Sequence, residues 1–283
     1  MLLQYRTTDA EEKAESADEE CDAKMKINVM SQEDNKMKFL IEGTTPSFIN
    51  TIRRISTVEV PTMAIEEVAF TKNSSVLYDE MLALRLGLVP LSTDLKTYKK
   101  PADCKCEGKG CNACQAKLTL SAKGPCIVYS GELKSKDPKV KPVIEDIPIV
   151  KLAENQELKL TATAVLGTGK EHSKWTTGLM VFQGYPEIKI VSGKHKDAAE
   201  IAAVCPRKVL EVKDGAVKVA NLEACNLCRA CQEKSPEVIT VNGSTENFIV
   251  TMESWGQLSP KEILMESISI MTDKLKEFNK LIK

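Results

Sequence analysis

Four cysteines between residues 205 and 231 limit what this chain can fold into more than any other feature. Cys225, Cys228 and Cys231 recur at three-residue steps, and Cys205 precedes Pro206 well upstream. Three thiolates so closely spaced face one point only on a tight coil. The fourth joins them only if the chain between doubles back. The means to do so is present: Asp214-Gly215 separates the apolar runs 209–212 and 217–219, and Asp-Gly between two such runs is a strong two-residue hairpin signal. One distant Cys-Pro plus Cys-x2-Cys-x2-Cys is the ligand supply of a cubane iron–sulfur cluster, 4Fe–4S or its 3Fe–4S form. Structural zinc on the same four thiolates is the competing expectation, although the spacing is tighter than that of paired zinc knuckles.

The run also departs from the two-cluster bacterial ferredoxin pattern, in which a fourth cysteine followed by proline closes each set. After Cys231 that position holds Ser235, followed by Pro236. Counting back from Cys205, the matching positions hold His195, Ala198 and Ile201. One ligand set is therefore complete and the other is not, so a ferredoxin-like iron–sulfur unit over 186–244 with a single cluster is expected. Taken alone, the motif leaves an electron-transfer protein or oxidoreductase subunit open. However, the chain has no flavin or nicotinamide fingerprint and no second complete set to extend an electron path.

A second group, Cys104-x-Cys106-x4-Cys111-x2-Cys114, carries Gly108 and Gly110 between its pairs. Glycines let a short loop turn back until four thiolates converge on one ion, which points to zinc. A second iron–sulfur cluster or an unmetallated loop are the alternatives. Four protein thiolates leave no open position for water, so such a zinc is structural. Eight of the ten cysteines fall in these two groups, a usage that fits a reducing cytoplasm better than a disulfide scaffold. Cys21 has no partner spacing, and Cys126 reads as a small buried apolar residue.

The remaining totals mostly exclude. A net charge of −1 gives no reason to expect direct DNA binding. The apolar runs are too short for a membrane span, and no basic-then-apolar leader opens the sequence. Residues 1–24 hold eight acidic and three basic residues and read as a disordered acidic tail, with Met25 an alternative start. Gly167-Thr168-Gly169-Lys170 resembles a phosphate loop but fails its spacing, because Ala164 and Glu171 stand where Gly and Ser or Thr are needed. With two histidines in the chain and no acid partner or nucleophile beside it, His172 is not read as catalytic.

Strands are expected over 26–29, 37–41, 118–121, 126–130, 147–152, 157–165, 187–191, 238–241 and 248–252. Helices are expected from Pro46, after 73–75, and from Pro260. The first places Phe48, Ile49, Ile52 and Ile55 on one face, and the second places Leu77, Met81, Leu84 and Leu88 on one side. The third opens with a Ser259–Glu262 capping box. It then carries Leu264, Ile268, Met271, Leu275, Phe278 and Ile282 at heptad steps.

Several motifs together resemble the alpha-like assembly subunits of cellular RNA polymerases, and most closely the archaeal D-type members, some of which carry a ferredoxin-like insert. They are Asn50-x2-Arg53-Arg54, Glu59-Val60-Pro61-Thr62-x-Ala64-Ile65, Asn73-x-Ser75, and Asp79-Glu80 with Arg85-Leu86-Gly87-Leu88-x-Pro90-Leu91. The Gly-x-Gly-x2-His-x-Lys-Trp stretch at 167–175 and Glu253-Ser254-x-Gly256 add to them. The resemblance implies an α+β chain with an alpha-like dimerisation domain over 25–70 and 245–283. It implies a mainly-β insert domain over 71–185 with a zinc loop at 104–114, interrupted in turn by the iron–sulfur unit. It implies a non-catalytic scaffold that pairs with the small alpha-like subunit L through Phe48, Ile52, Ile55, Leu264, Ile268, Met271, Leu275 and Phe278. Other small assembly subunits and the large catalytic subunits would be further partners. The 167–175 loop would lie on the surface, as a contact for a large subunit.

Overall fold

The computed structural model describes residues 25–282; the acidic segment 1–24 lies outside them. In chain order the elements begin with β1 (Lys26–Gln32), β2 (Lys36–Glu42), α1 (Pro46–Val58), β3 (Thr62–Asn73) and α2 (Asp79–Gly87). There follow β4 (Gln115–Lys123), β5 (Cys126–Tyr129), β6 (Lys134–Ser135), β7 (Pro148–Leu152), β8 (Glu157–Gly167) and β9 (Gly178–Ile190). The chain continues with α3 (Ala198–Ala203), β10 (Leu210–Lys213), β11 (Ala216–Val219), α4 (Ala230–Lys234), β12 (Ile239–Ser254) and α5 (Pro260–Ile282). The fold is mixed and mostly β. One sheet has the order β1-β2-β12-β9 and a second the order β3-β8-β4-β6, and β10-β11 and β5-β7 form two-stranded ribbons.

Packing divides the chain into two compact units. Among the described residues, one comprises 25–30 together with Phe39–Pro46 and Phe182–Val250. The other comprises Ser31–Lys38, Ser47–Val181 and 251–282.

The larger unit is organised by β8. Its Leu158, Leu160, Ala162 and Ala164 alternate inward, as period-2 patterning requires. Antiparallel β4 sets Leu118 opposite Ala162 and Leu120 opposite Leu160, and β3 pairs along the other edge. Their inner faces join Met63, Ile65, Leu82, Leu86 and Ile149 in one core of 22 buried residues. Also in this unit, Ser56 of α1 and Ser267 of α5 share a buried hydroxyl hydrogen bond of 2.9 Å, and Glu59 and Lys274 form an ion pair. The expected capping box is formed: the Ser259 backbone N–H donates to Glu262 (2.9 Å) and the Glu262 N–H to Ser259 Oγ (3.3 Å).

The smaller unit has a core of eight buried residues: Ala198, Ile201, Val209, Leu210, Val217, Cys231, Ile239 and Val241. Its hairpin follows the sequence signal. Lys213 pairs with Ala216, and Asp214 and Gly215 both take positive φ (55° and 78°), the mirror-image turn whose twist suits a two-residue loop.

Two expectations need correction. α2 forms where periodicity placed it, but Met81, Leu84 and Leu88 are exposed, and Leu82 and Leu86 turn inward. Two apolar stripes lie side by side on this helix, and periodicity alone does not choose between them. The strands expected at 238–241 and 248–252 are parts of one strand, β12. The intervening Asn242-Gly243-Ser244-Thr245 continues extended; an added Cβ on Gly184 of β9 would stand 2.6 Å from the Ser244 carbonyl oxygen and 3.1 Å from the Gly243 Cα, so β9 and β12 approach closely there.

Candidate metal centres and interface helix

Cys104, Cys106, Cys111 and Cys114 meet on the loop between α2 and β4. All four sulfurs lie within 4.8 Å of one another. Cys104 Sγ is 3.5 Å from Cys111 Sγ, Cys106 Sγ is 3.5 Å from Cys114 Sγ, and Cys111 Sγ is 3.7 Å from Cys114 Sγ. A tetrahedral ion bound at about 2.3 Å by four thiolates requires sulfur–sulfur edges of about 3.8 Å. The loop is set for this by its backbone. Glu107, Gly108 and Gly110 take positive φ (53°, 79° and 86°), the left-handed turns that the two glycines make without strain. The N–H groups of Glu107 and Lys109 donate to the carbonyls of Cys104 and Cys106, and that of Cys111 to Cys114 Sγ (3.2 Å). Burial and its sulfur neighbours push the Cys114 thiol up to about 12, whereas hydrogen bonds from Cys114 and then Cys104 draw Cys106 down to about 6. Four sulfurs this close do not all ionise unaided, so a cation held there would displace protons.

Cys205, Cys225, Cys228 and Cys231 line one small cavity of about 10 Å³ in the smaller unit, walled mainly by Ile188, Val209, Leu210 and Val241. Leu227 and Arg229, between the cysteines of the coil, both take positive φ (57° and 60°). Alternation of this kind turns backbone N–H groups inward, the nest that receives anions and iron–sulfur groups. The Val209 N–H donates to Cys205 Sγ (3.4 Å), and those of Leu227 and Gln232 face the sulfurs of Cys225 and Cys231. Gln183 holds the coil by donating to the Cys225 carbonyl (2.8 Å). Burial, ahead of every other cause, pushes the Cys225 and Cys231 thiols up. The donor set is all sulfur, its walls are apolar and N–H groups point at it, an environment suited to a sulfur-ligated group. At the incomplete positions, Ala198 and Ile201 are buried core, and His195 bonds the Val191 carbonyl (3.0 Å).

The interface candidates separate. Ile52 and Ile55 are buried within the chain and Phe48, Leu264 and Met271 are half-buried, whereas Ile268, Leu275 and Phe278 are 49%, 52% and 60% exposed. Ile282 is exposed as well. The apolar residues of α5 beyond Met271 therefore lack cover among the described residues.

Gly167 makes room for Trp175, and Gly169 for the close approach of Thr57, Val58 and Thr176. A side chain on Gly167 would run into the Trp175 ring. Trp175 is buried, and its indole N–H donates to the Val165 carbonyl (3.2 Å). Thr62 Oγ1 donates to the Trp175 carbonyl (2.8 Å), Lys174 pairs with Glu66 over the Trp175 ring, and His172 Nδ1 accepts from the Lys174 N–H. Sequence reasoning missed Trp175 as an anchor, although a lone Trp after a glycine pair was the available signal. Cys126 is half-buried and donates to the Lys123 carbonyl (3.4 Å).

Residues 53–181 match the RNA polymerase Rpb3/RpoA insert domain. DNA-directed RNA polymerase subunit Rpo3 of Methanosphaera stadtmanae is 42% identical over 259 residues, covering 88% of this chain and 96% of the relative. The chain belongs to the Rpo3 family. The Rpo3 proteins of Methanothermobacter thermautotrophicus and Methanosarcina acetivorans are 41% and 38% identical over 258 residues, each covering 89% of this chain. Rpo3 is a non-catalytic subunit of DNA-directed RNA polymerase, so this chain is a component of that complex and not an enzyme by itself. The D-type resemblance names the same family in another nomenclature. The insert-domain match contains the Cys104 loop and the Trp175 anchor, and the Cys205 set lies beyond it. Among the described residues no helix is long and apolar enough to cross a membrane.

Proposed function

We propose that this chain is the assembly scaffold of an archaeal RNA polymerase and pairs with the small alpha-like subunit L through α1 and α5. The observation that carries this is the exposed apolar stripe of α5, whose Ile268, Leu275 and Phe278 stand in water at heptad spacing. A partner helix would fill that seam with knobs of its own. The pair would then seat the large catalytic subunits, other small assembly subunits and, near the 167–175 loop, a large-subunit surface. In this reading 25–70 with 245–283 serve dimerisation and 71–185 form the insert domain. Segment 186–244 is the ferredoxin-like unit, and the complex works in the cytoplasm.

The Cys104 set would hold zinc. Its near-tetrahedral sulfur edges support a single ion over a cluster, which would spread the thiolates farther. The Cys205 set would hold one iron–sulfur cluster, 4Fe–4S or 3Fe–4S. Among the described residues only the Cys104 set brings three or more metal-ligating atoms within 4.8 Å, so the Cys205 set suits a larger group than a lone ion. The cluster would act as a covalent brace when bound. The chain's own part is to present four sulfurs, aim N–H groups at them, and exclude water with Ile188, Leu210 and Val241.

Co-expression with subunit L tests the reading. Leu275→Glu with Phe278→Glu should weaken the heterodimer by at least about 30-fold, because buried apolar anchors are worth about 2 kcal/mol or more. Unchanged affinity by titration calorimetry would remove α5 from the interface.

A further inference from the structure

We propose that the Cys104–Cys114 loop has two closed states, one held by its metal and one held by disulfides Cys104–Cys111 and Cys106–Cys114. The first state rests on the zinc reading above and the second does not. These two pairs share no sulfur and together use all four. Each stands at 3.5 Å, so about 1.5 Å of approach reaches the disulfide length near 2.05 Å. The competing Cys111–Cys114 pair is farther apart, at 3.7 Å. Backbone hydrogen bonds internal to the loop, Glu107 to Cys104, Lys109 to Cys106, and Cys114 and Gln115 to Cys111, hold the sulfurs together without needing an ion. Cys106 and Cys111 are half-buried, open enough to meet a small oxidant, while Cys104 and Cys114 are buried beneath them. The Cys205 set differs: among the described residues its sulfurs do not gather within 4.8 Å of one another.

The oxidant is a hydroperoxide. A thiolate of the metal-free loop attacks the peroxide, the O–O bond breaks, and a sulfenic acid forms as an alcohol or water leaves. The partner thiol then displaces water from the sulfenic sulfur, forming the S–S bond. Each disulfide thus takes two electrons and two thiol hydrogens from its pair, and hydrogen peroxide ends as two waters. Once both pairs have closed, no thiolate remains to take zinc back until a dithiol reductant reopens them. Oxidation would therefore exchange one staple for another and keep the loop shut.

The test uses the full chain. Zinc is first measured by mass spectrometry of the metal. The protein is then stripped with a chelator, treated with excess hydrogen peroxide, and digested with trypsin without reduction. Trypsin separates the cysteines onto three peptides ending at Lys105, Lys109 and Lys117, with Cys111 and Cys114 together on the last. The expected product is a single species joining all three, and fragmentation between Cys111 and Cys114 should assign Cys104 to Cys111 and Cys106 to Cys114. A Cys111–Cys114 bond within one peptide, another pairing, or four free thiols after peroxide would overturn the proposal. Cys106→Ser provides a second check, because Cys104–Cys111 should still close and leave Cys114 free. Absence of zinc from the isolated chain would overturn the metal-held state alone, since the peptide map is read independently of it.

Discussion

The two cysteine centres use the same number of thiolates and stand in very different hosts. The Cys104 set lies on one short loop at the margin of a core of 22 buried residues, to which Cys104 and Cys114 add little. The Cys205 set draws on two separated segments, and Cys231 is itself one of only eight buried core residues around it. A small core rarely stabilises a unit by itself, so such units depend on staples. On the proposed reading, a metal on the first set would decorate a fold that its host already secures, while a cluster on the second would be part of what makes its host fold.

The most severe test of that contrast is to remove the second centre. Cys225→Ser with Cys228→Ser should abolish bound iron and expose 186–244 to protease, because metal binding in such units is folding free energy. Pairing with subunit L should survive, since the α5 seam lies on other residues. Iron and sulfide analysis, limited proteolysis and co-purification read the three outcomes, and loss of pairing would refute the division of labour.

Next in size are matched core truncations. Ile239→Ala in the small core and Leu160→Ala in the large one should each cost about 2–5 kcal/mol. The costs are alike but their consequences should differ: Ile239→Ala should release iron, whereas Leu160→Ala should leave zinc on the Cys104 loop. Equal metal loss from both variants would show that the two hosts do not differ as described.

The convergence of the Cys104 set was legible because its four cysteines are local in sequence, and for the Cys205 set Asp214-Gly215 announced the return that carries the chain from Cys205 toward Cys225. The β8 alternation and the Ser259–Glu262 cap were legible for the same reason. The inward face of α2 was not, since Leu82 and Leu86 win over Met81 and Leu84 only through what packs against them. Nor was the continuity of β12, where Gly184 of β9 permits a close approach to Gly243 and Ser244. Two of the hydrogen bonds around the Cys205 set, from Val209 to the Cys205 sulfur and from Gln183 to the Cys225 carbonyl, come from residues with no motif of their own, and three-dimensional contact alone reveals them.

A smaller effect is expected from chelating the metal of the Cys104 loop. Amide exchange should accelerate within 104–115, while the β8 amides of Leu158 to Ala164 keep their protection, because their core needs nothing from the loop. Loss of β8 protection would make the two centres equivalent.

The smallest effect concerns the ion pair between Glu200 of α3 and Lys234 of α4, at 2.9 Å, which links the segments carrying Cys205 and Cys231. The hydrogen bond with Lys234 is the main cause holding the Glu200 carboxyl below its ordinary 4.5, and the same bond holds Lys234 above 10.5. A depressed carboxyl contributes stability that is full above its unfolded value and is lost as pH falls through the folded one. A raised lysine contributes stability that is full below 10.5 and is lost as pH climbs beyond its folded value. The pair therefore acts across the whole range between, and both partners are well exposed, so salt screens it. Glu200→Gln should leave iron retention unchanged at neutral pH and physiological salt, and should speed iron loss only slightly at low salt. A large loss at physiological salt would mean that this surface pair, and not the buried sulfurs and their small core, holds the second centre together.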